Sequence, residues 1–289
     1  MLGKDEKDEN YMFAEINDVK VGKSENIFVL DRKNCRVQVY DKNGKFLKGI
    51  GRKGQGPGEF FVPSFISLDK NERLFVVDYR KVHIFDEKGE FIKTFKIDFR
   101  AYNICVIEDK ILLLGYKNDK IFHYFDFNGN YLESFGNISM FTPESQPIKY
   151  KEYYELMVPM GFIVLKDNIY VVNQFEYKIV IFKDKKLVDK IERSSSYFPK
   201  RKIVERTYER GVSLGVEPWL FCFISGHKNR IYISLLTSNG NVIDIFKDKE
   251  YIGSIKTNES ILGVDEKGRL YLADNTDIPI LKRCKLTIK

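Results

Sequence analysis

Six short apolar runs recur along the chain, each opened by a turn and closed by an aspartate or a substitute for it. They are NIFVLD ending at Asp31, RLFVVD at Asp78, KILLLG at Gly115, NIYVVN at Asn173, RIYISL at Leu235 and RLYLAD at Asp274. Successive runs end 47, 37, 58, 62 and 39 residues apart. Each belongs to a larger unit. A strand precedes it, as in PSFISLD (Pro63 to Asp69) and GFIVLKD (Gly161 to Asp167), and a tight turn such as Asp265-Glu266-Lys267-Gly268 joins the two. A third strand ending in an aromatic follows (VQVYD, VHIFD, HYFDF, IVIFK, VIDIFK), then a turn and a fourth strand (NGKFLKGI, KGEFIKTF, NGNYLESF). Asn43-Gly44, Lys88-Gly89 and Asn128-Gly129 supply this last turn with a residue able to take positive φ, which a tight hairpin needs.

Four short antiparallel strands per unit and six units predict an all-β, six-bladed β-propeller. One four-stranded sheet cannot bury both of its faces, but sheets stacked around an axis cover one another. That accounts for strands that are apolar on both faces rather than alternating. The last unit runs out in LKRCKLTIK, which offers a third strand and no fourth, while Tyr11-Met12-Phe13-Ala14 stands unassigned ahead of the first unit. The expectation is that this N-terminal strand pairs with the last blade and closes the ring. Residues 1–10 read as a flexible charged lead and 11–289 as a single propeller domain, with insertions at about 137–159 and 192–218. Within the second insertion, Pro199 to about Arg210 reads as a short helix.

Composition sharpens this picture in a few places. The 289 residues are 43% hydrophobic and 14% aromatic, with 23 Phe and 17 Tyr, which favours strands. Net charge is +7 from 48 basic and 41 acidic residues interleaved along the chain, so a solvated surface is expected and a nucleic-acid footprint is not. No stretch reaches the roughly 18–20 apolar residues that span a bilayer. Cys35, Cys105, Cys222 and Cys284 form no CxxC pair and stand near no His at ligand spacing, so neither a metal site nor a disulfide framework is indicated. The opening Met1-Leu2-Gly3 and KDEKDEN lack the apolar core of a signal peptide. This fits either a cytoplasmic protein or an exported one whose signal has been removed. A monomer is expected.

Between the first two units lies Gly49-Ile50-Gly51-Arg52-Lys53-Gly54-Gln55-Gly56-Pro57-Gly58-Glu59-Phe60. With the strand after it, Asp78 and the Lys81-Val82-x-Ile84-Phe85 pattern, it closely resembles an NHL-type propeller repeat. GRKGQGPGEF more narrowly resembles a family of bacterial six-bladed propellers, many of them envelope lipoproteins. The resemblance is strong from Asn26 to Phe95, and units 3 to 5 lack the GPGEF signature. It implies the fold, and an exported, periplasmic or envelope-anchored location. It implies function only loosely, since some NHL-like propellers are lyases that hold a metal with several His and acids around the channel, and others bind single-stranded RNA.

Candidate chemistry is sparse. Gly49-x-Gly51-x-x-Gly54 has the letters of a dinucleotide fingerprint, but the chain continues Gln-Gly-Pro-Gly where that fingerprint needs a helix, so it reads as a turn. His83 and His123 occupy the same third-strand place in successive units and read as packed between blades, whereas His227 reads as an exposed turn residue. Asp31, Asp78 and Asp274 read as bonding backbone N–H groups of the next turn or a nearby base such as Arg36. Ser194-Ser195-Ser196 lacks a nucleophile elbow and reads as a loop. No catalytic residue, metal ligand or cofactor is assigned.

The insertions are the main functional lead, because both join an outer strand to the next inner strand and so emerge on one face, at the mouth of the channel. Function concentrates in long loops carried on a rigid scaffold. Aromatic and arginine side chains are enriched at interfaces. The residues expected at this mouth are Tyr79, Arg80, Asn103, Tyr153, Tyr154, Phe162, Gln174, Phe175, Arg201 and Trp219. The leading expectation is a non-enzymatic binding or scaffold propeller for a protein, peptide or glycan partner. A channel lyase or hydrolase is the alternative, and single-stranded RNA binding a third.

Overall fold

A computed structural model describes residues 8–141, 159, 161–173, 175–195, 198, 202–208, 211–217, 221–237, 240–275 and 278–286, with backbone alone over 202–208, 211–217, 221–223 and 237. Blade 1 consists of β1 (Ile16–Val21), β2 (Ile27–Asp31), β3 (Arg36–Tyr40) and β4 (Phe46–Ile50). Blade 2 is β5 (Pro63–Leu68), β6 (Leu74–Asp78), β7 (Lys81–Phe85) and β8 (Phe91–Lys96), and blade 3 is β9 (Ala101–Ile107), β10 (Lys110–Lys117), β11 (Lys120–Asp126) and β12 (Tyr131–Asn137). Blade 4 is β13 (Phe162–Leu165), β14 (Asn168–Val172), β15 (Lys178–Lys183) and β16 (Lys186–Glu192). A separate hairpin, β17 (Lys202–Tyr208) and β18 (Gly211–Glu217), precedes blade 5, which is β19 (Phe221–His227), β20 (Arg230–Thr237), β21 (Gly240–Lys247) and β22 (Glu250–Thr257). Blade 6 has three strands, β23 (Ser260–Val264), β24 (Arg269–Asp274) and β25 (Ile280–Lys285).

Each blade is an antiparallel meander, and the inner strands β1, β5, β9, β13, β19 and β23 touch in a closed cycle around the axis. The molecule is therefore a six-bladed β-propeller. Its core lies between blades. Leu30 and Val37 of blade 1 pack with Phe60, Ile66 and Val76 on the blade 2 side, and Leu112 and Phe122 of blade 3 pack with Phe162 and Phe182 of blade 4. Every residue of β2 and β6 is buried. Burial on both faces is why these strands are continuously apolar.

Two expectations are corrected. The reading of a helix from Pro199 to about Arg210 fails, because Lys202–Tyr208 is a strand paired in register with Gly211–Glu217. Ile203, Val204 and Thr207 face a partner carrying Val212 and Val216 in sequence, and β-branched residues on both sides favour the hairpin. The second concerns Tyr11-Met12-Phe13-Ala14, which adds no strand to blade 6. Glu9–Tyr11 is a 3-10 turn capped by Asp8, and Asp31 draws the chain into blade 1 by accepting from the N–H groups of Ala14 and Glu15. The segment still serves closure, by packing. Phe13 is buried with Tyr40 of blade 1 and with Leu262, Tyr271 and Leu281 of blade 6. Across the same seam, Asn275 accepts from the Ile16 N–H at 3.0 Å and donates to the Ile16 carbonyl at 2.8 Å.

Candidate partner-binding face

In each of blades 1 to 5 the turn between second and third strands, and the connection from the fourth strand to the next blade, lie at the same end of the sheet. That end carries both insertions and the Gly51–Phe60 loop. The loop is a built turn. Glu59 closes it by accepting from the N–H groups of Gly56 at 2.9 Å and Gln55 at 3.1 Å and from Arg52 at 2.8 Å. Those bonds, first from Gly56 and then from Arg52, hold the Glu59 carboxyl below its ordinary value. Phe60 is fully buried, its ring 5.7 Å from that of Phe85 and 5.4 Å from that of His83. Gly51 has φ +79°, and a Cβ there would stand 2.2 Å from the Phe60 ring, so backbone and packing both demand a glycine at this place.

Asp78 then fixes the chain that leaves this loop. Its carboxylate accepts from the N–H groups of Phe61 at 2.9 Å and Val62 at 2.5 Å, and lies 3.3 Å from His83 Nε2. Burial opposes its ionisation, but the bonds from His83, Phe61 and Val62 outweigh it and hold the carboxyl below its ordinary value. Asp31 does the same in blade 1 and also pairs with Arg36 at 3.3 Å. The bonded backbone groups thus belong to the segment entering the inner strand, and the turn after Asp31 contributes only the Asn34 side-chain amide, which donates to it at 2.7 Å. Asn173 does serve its next turn, accepting from Phe175 and Glu176.

Because Asp78 pairs with Lys81, only Tyr79 and Arg80 form the turn. Tyr79 has φ +56°, an uncommon conformation for a bulky residue, and its side chain is 52% exposed. Phe61 beside it is 55% exposed. The Arg80 guanidinium lies 5.7 Å from the centre of the Tyr79 ring. These residues, with Gln55, Asp78, Lys81, Lys96 and Ile97, line a groove of about 350 Å³. Sequence reasoning found Tyr79 and Arg80 through their place in the turn. It missed Lys81, which follows them at the start of β7, and Phe61, Lys96 and Ile97, which come from the loop before β5 and the end of β8.

Asn103 and Phe162 lie elsewhere, on the wall of the central channel, a cavity of about 310 Å³ lined by all six inner strands. Its polar groups are largely spent on joining blades. Asp18 of blade 1 accepts from the Ile66 N–H of blade 2 at 2.9 Å, and Ser67 of blade 2 accepts from the Val106 N–H of blade 3 at 3.0 Å. Burial pushes the Cys105 thiol up to about 11. Among the described residues no group of three or more His, Cys, Asp or Glu could hold a metal ion.

Phe175 is buried against Phe141 and Phe162, which leaves its ring no surface to offer. Tyr153, Tyr154, Gln174, Arg201 and Trp219 lie outside the described residues. Two described insertion aromatics are both buried. Phe141 is in the blade 3–blade 4 core, and Phe198 stacks on Tyr177 at 4.8 Å. His83 and His123 are buried as expected. His123 lies 3.1 Å from the Gly115 carbonyl, and burial pushes its ring below the ordinary histidine value. His227 ends β19, half-buried against Gly268, rather than standing free in a turn.

Six meandering blades and this end face define a β-propeller without a described catalytic constellation. The chain belongs to the family described as "6-bladed beta-propeller", whose model matches residues 6–210. The brain tumor protein of Drosophila melanogaster is 28% identical over 131 residues, which is 43% of this chain but only 12% of that protein's length. A Bacteroides fragilis protein proposed to be exported has a similar fold at 13% identity and a TM-score of 0.63, over 93% of this chain and 81% of that one. Virginiamycin B lyase of Staphylococcus aureus is similar at 12% identity and a TM-score of 0.55, over 95% of this chain and 81% of the lyase. No described helix is long and apolar enough to cross a membrane.

Proposed function

We propose that this propeller is a non-enzymatic binding protein that recognises a protein, peptide or glycan partner through its insertion-bearing face. The observation that carries the reading is Tyr79. A bulky side chain held at φ +56° and 52% exposed costs folding energy and gains little packing in return. Such a residue is expected where a partner supplies the missing contacts. The likeness to a Bacteroides fragilis protein proposed to be exported supports an envelope location, and the GPGEF repeat supports grouping with NHL-type propellers. A channel lyase has less support. A histidine-to-alanine change inactivates virginiamycin B lyase, and the two fully buried histidines here lie between blades and away from the channel wall.

Peptide and glycan arrays probed with the labelled protein and with Tyr79→Asn test the reading. Asparagine tolerates the left-handed conformation, so it removes the ring without adding backbone strain. Signals on the array should fall in the variant. Signals that survive unchanged would place the binding surface elsewhere.

A further inference from the structure

The groove beside Tyr79 is rich in donors and poor in acceptors, and that asymmetry specifies a ligand. Arg80, Lys81 and Lys96 reach it from a turn, from the start of β7 and from the end of the outer strand β8, and none has a carboxylate partner among the described residues. The one carboxylate in the lining, Asp78, is committed to Phe61, Val62 and His83. Phe61, Tyr79 and Ile97 supply apolar surface between the cations. We infer that this groove binds an acidic linear peptide segment that seats one aromatic or aliphatic side chain against Phe61 and Tyr79 and sets flanking carboxylates on Arg80, Lys81 and Lys96. The inference rests on the binding reading above and names its partner chemistry.

A glycan fits less well. Sugar hydroxyls donate as well as accept, and the groove offers them few side-chain acceptors, the Gln55 amide and the Tyr79 hydroxyl, against three cations. RNA fits less well because single strands are held by a continuous basic track with repeated stacking platforms. A second groove on the same face, about 420 Å³, is lined by Glu176, Lys178, Glu192 and Arg193 and so is of mixed sign, with Lys178 already paired to Glu176 at 2.9 Å. That groove does not share the basic character of the first.

Four labelled probes distinguish the possibilities by fluorescence anisotropy at low salt. They are an eight-residue peptide with one phenylalanine among glutamates, the same peptide with lysines for glutamates, an oligouronate, and an oligouridine of similar length. The acidic peptide should bind best and weaken with added salt. It should lose roughly tenfold or more in affinity in Tyr79→Asn, as an interface anchor does. The double variant Lys81→Glu, Lys96→Glu should lose the acidic peptide and gain the basic one. Unfolding transitions of the variants confirm that they fold. Equal binding of the acidic and basic peptides, or affinity unmoved by the charge reversal, overturns the inference. Preferential binding of the oligouronate or oligouridine that depends on Tyr79 overturns it too, yet leaves a binding face in place. If no probe binds, or none depends on Tyr79, the inference falls; unchanged array signals in Tyr79→Asn would then take the broader reading with it.

Discussion

At the scale of single residues, Asp78 shows how one carboxylate can end a strand, receive a loop and position a ligand groove. Its side chain is 2% exposed and holds two backbone N–H groups that have no other acceptor. Asp78→Ala leaves both part-buried donors and His83 Nε2 without their acceptor, and each unmet buried donor costs about 1–3 kcal/mol. A loss of about 3 kcal/mol, read as a lower urea midpoint with unchanged slope, is expected. Asp78→Asn should cost a large part of this, because its amide turns a donor toward one of those N–H groups. A loss below about 0.5 kcal/mol, within the range of ordinary surface changes, would show that Asp78 does not secure the loop. Asp31, which likewise holds two backbone N–H groups of the segment entering blade 1, was readable as structural from its place at the end of a strand. Its target was not, because the N–H groups it binds lie 16 and 17 residues upstream.

At the scale of elements, the blades were legible because each carries its own turn chemistry and its own buried second strand. The long connections were not. In the second one the Pro199–Arg210 run has charges that suit a helix, and only the pairing of Lys202–Tyr208 with Gly211–Glu217 decides for a hairpin. The groove was half legible for a related reason: Tyr79 and Arg80 mark their own turn, but Phe61 and Lys96 become their neighbours only when loops from two strands converge. Where the second connection begins, Arg193 anchors it to the next blade. Its Nε lies 3.6 Å from Asp244 Oδ2 and its guanidinium 3.3 Å from the centre of the Tyr251 ring. Asp244 is fully buried and also accepts from the hydroxyls of Tyr177 and Ser254. Removing one partner of a buried ion pair costs about 3–5 kcal/mol because the other charge stays behind. Arg193→Ala should therefore destabilise by that order, and by distinctly less when Asp244 is already Asn. A double-mutant cycle in urea measures the coupling, expected at about 1–3 kcal/mol; additive losses would mean the ring stacking on Tyr251, and not the charge pair, holds the connection.

At the scale of the whole ring, the seam between blade 6 and blade 1 differs from every other, because no connection of the chain crosses it. It must hold by side chains. Phe13 and Tyr40 pack on Tyr271 and Leu281, Asn275 grips both backbone groups of Ile16, and Arg283 donates to the Lys42 carbonyl at 2.6 Å. At the end opposite Asn275, Glu25 of the first turn receives Lys267 at 2.8 Å and Arg269 at 2.6 Å from blade 6. Those bonds, from Lys267 first and then Arg269, bring the Glu25 carboxyl from 4.5 down to about 2. Between these values the unfolded chain carries a proton on Glu25 that the closed ring does not. The stability Glu25 contributes is therefore complete above about pH 4.5 and is lost as the pH falls toward 2. Glu25→Gln should lower the thermal midpoint at about pH 6 and low salt, and the gap to the unaltered protein should close as the pH approaches 2. The same substitution should speed amide exchange in β1 and β23 more than in β5 or β9, since local opening follows the weakest boundary. A gap that persists undiminished at low pH, or exchange that rises equally in all blades, would mean that apolar packing alone keeps the ring shut and that these ion pairs only decorate it.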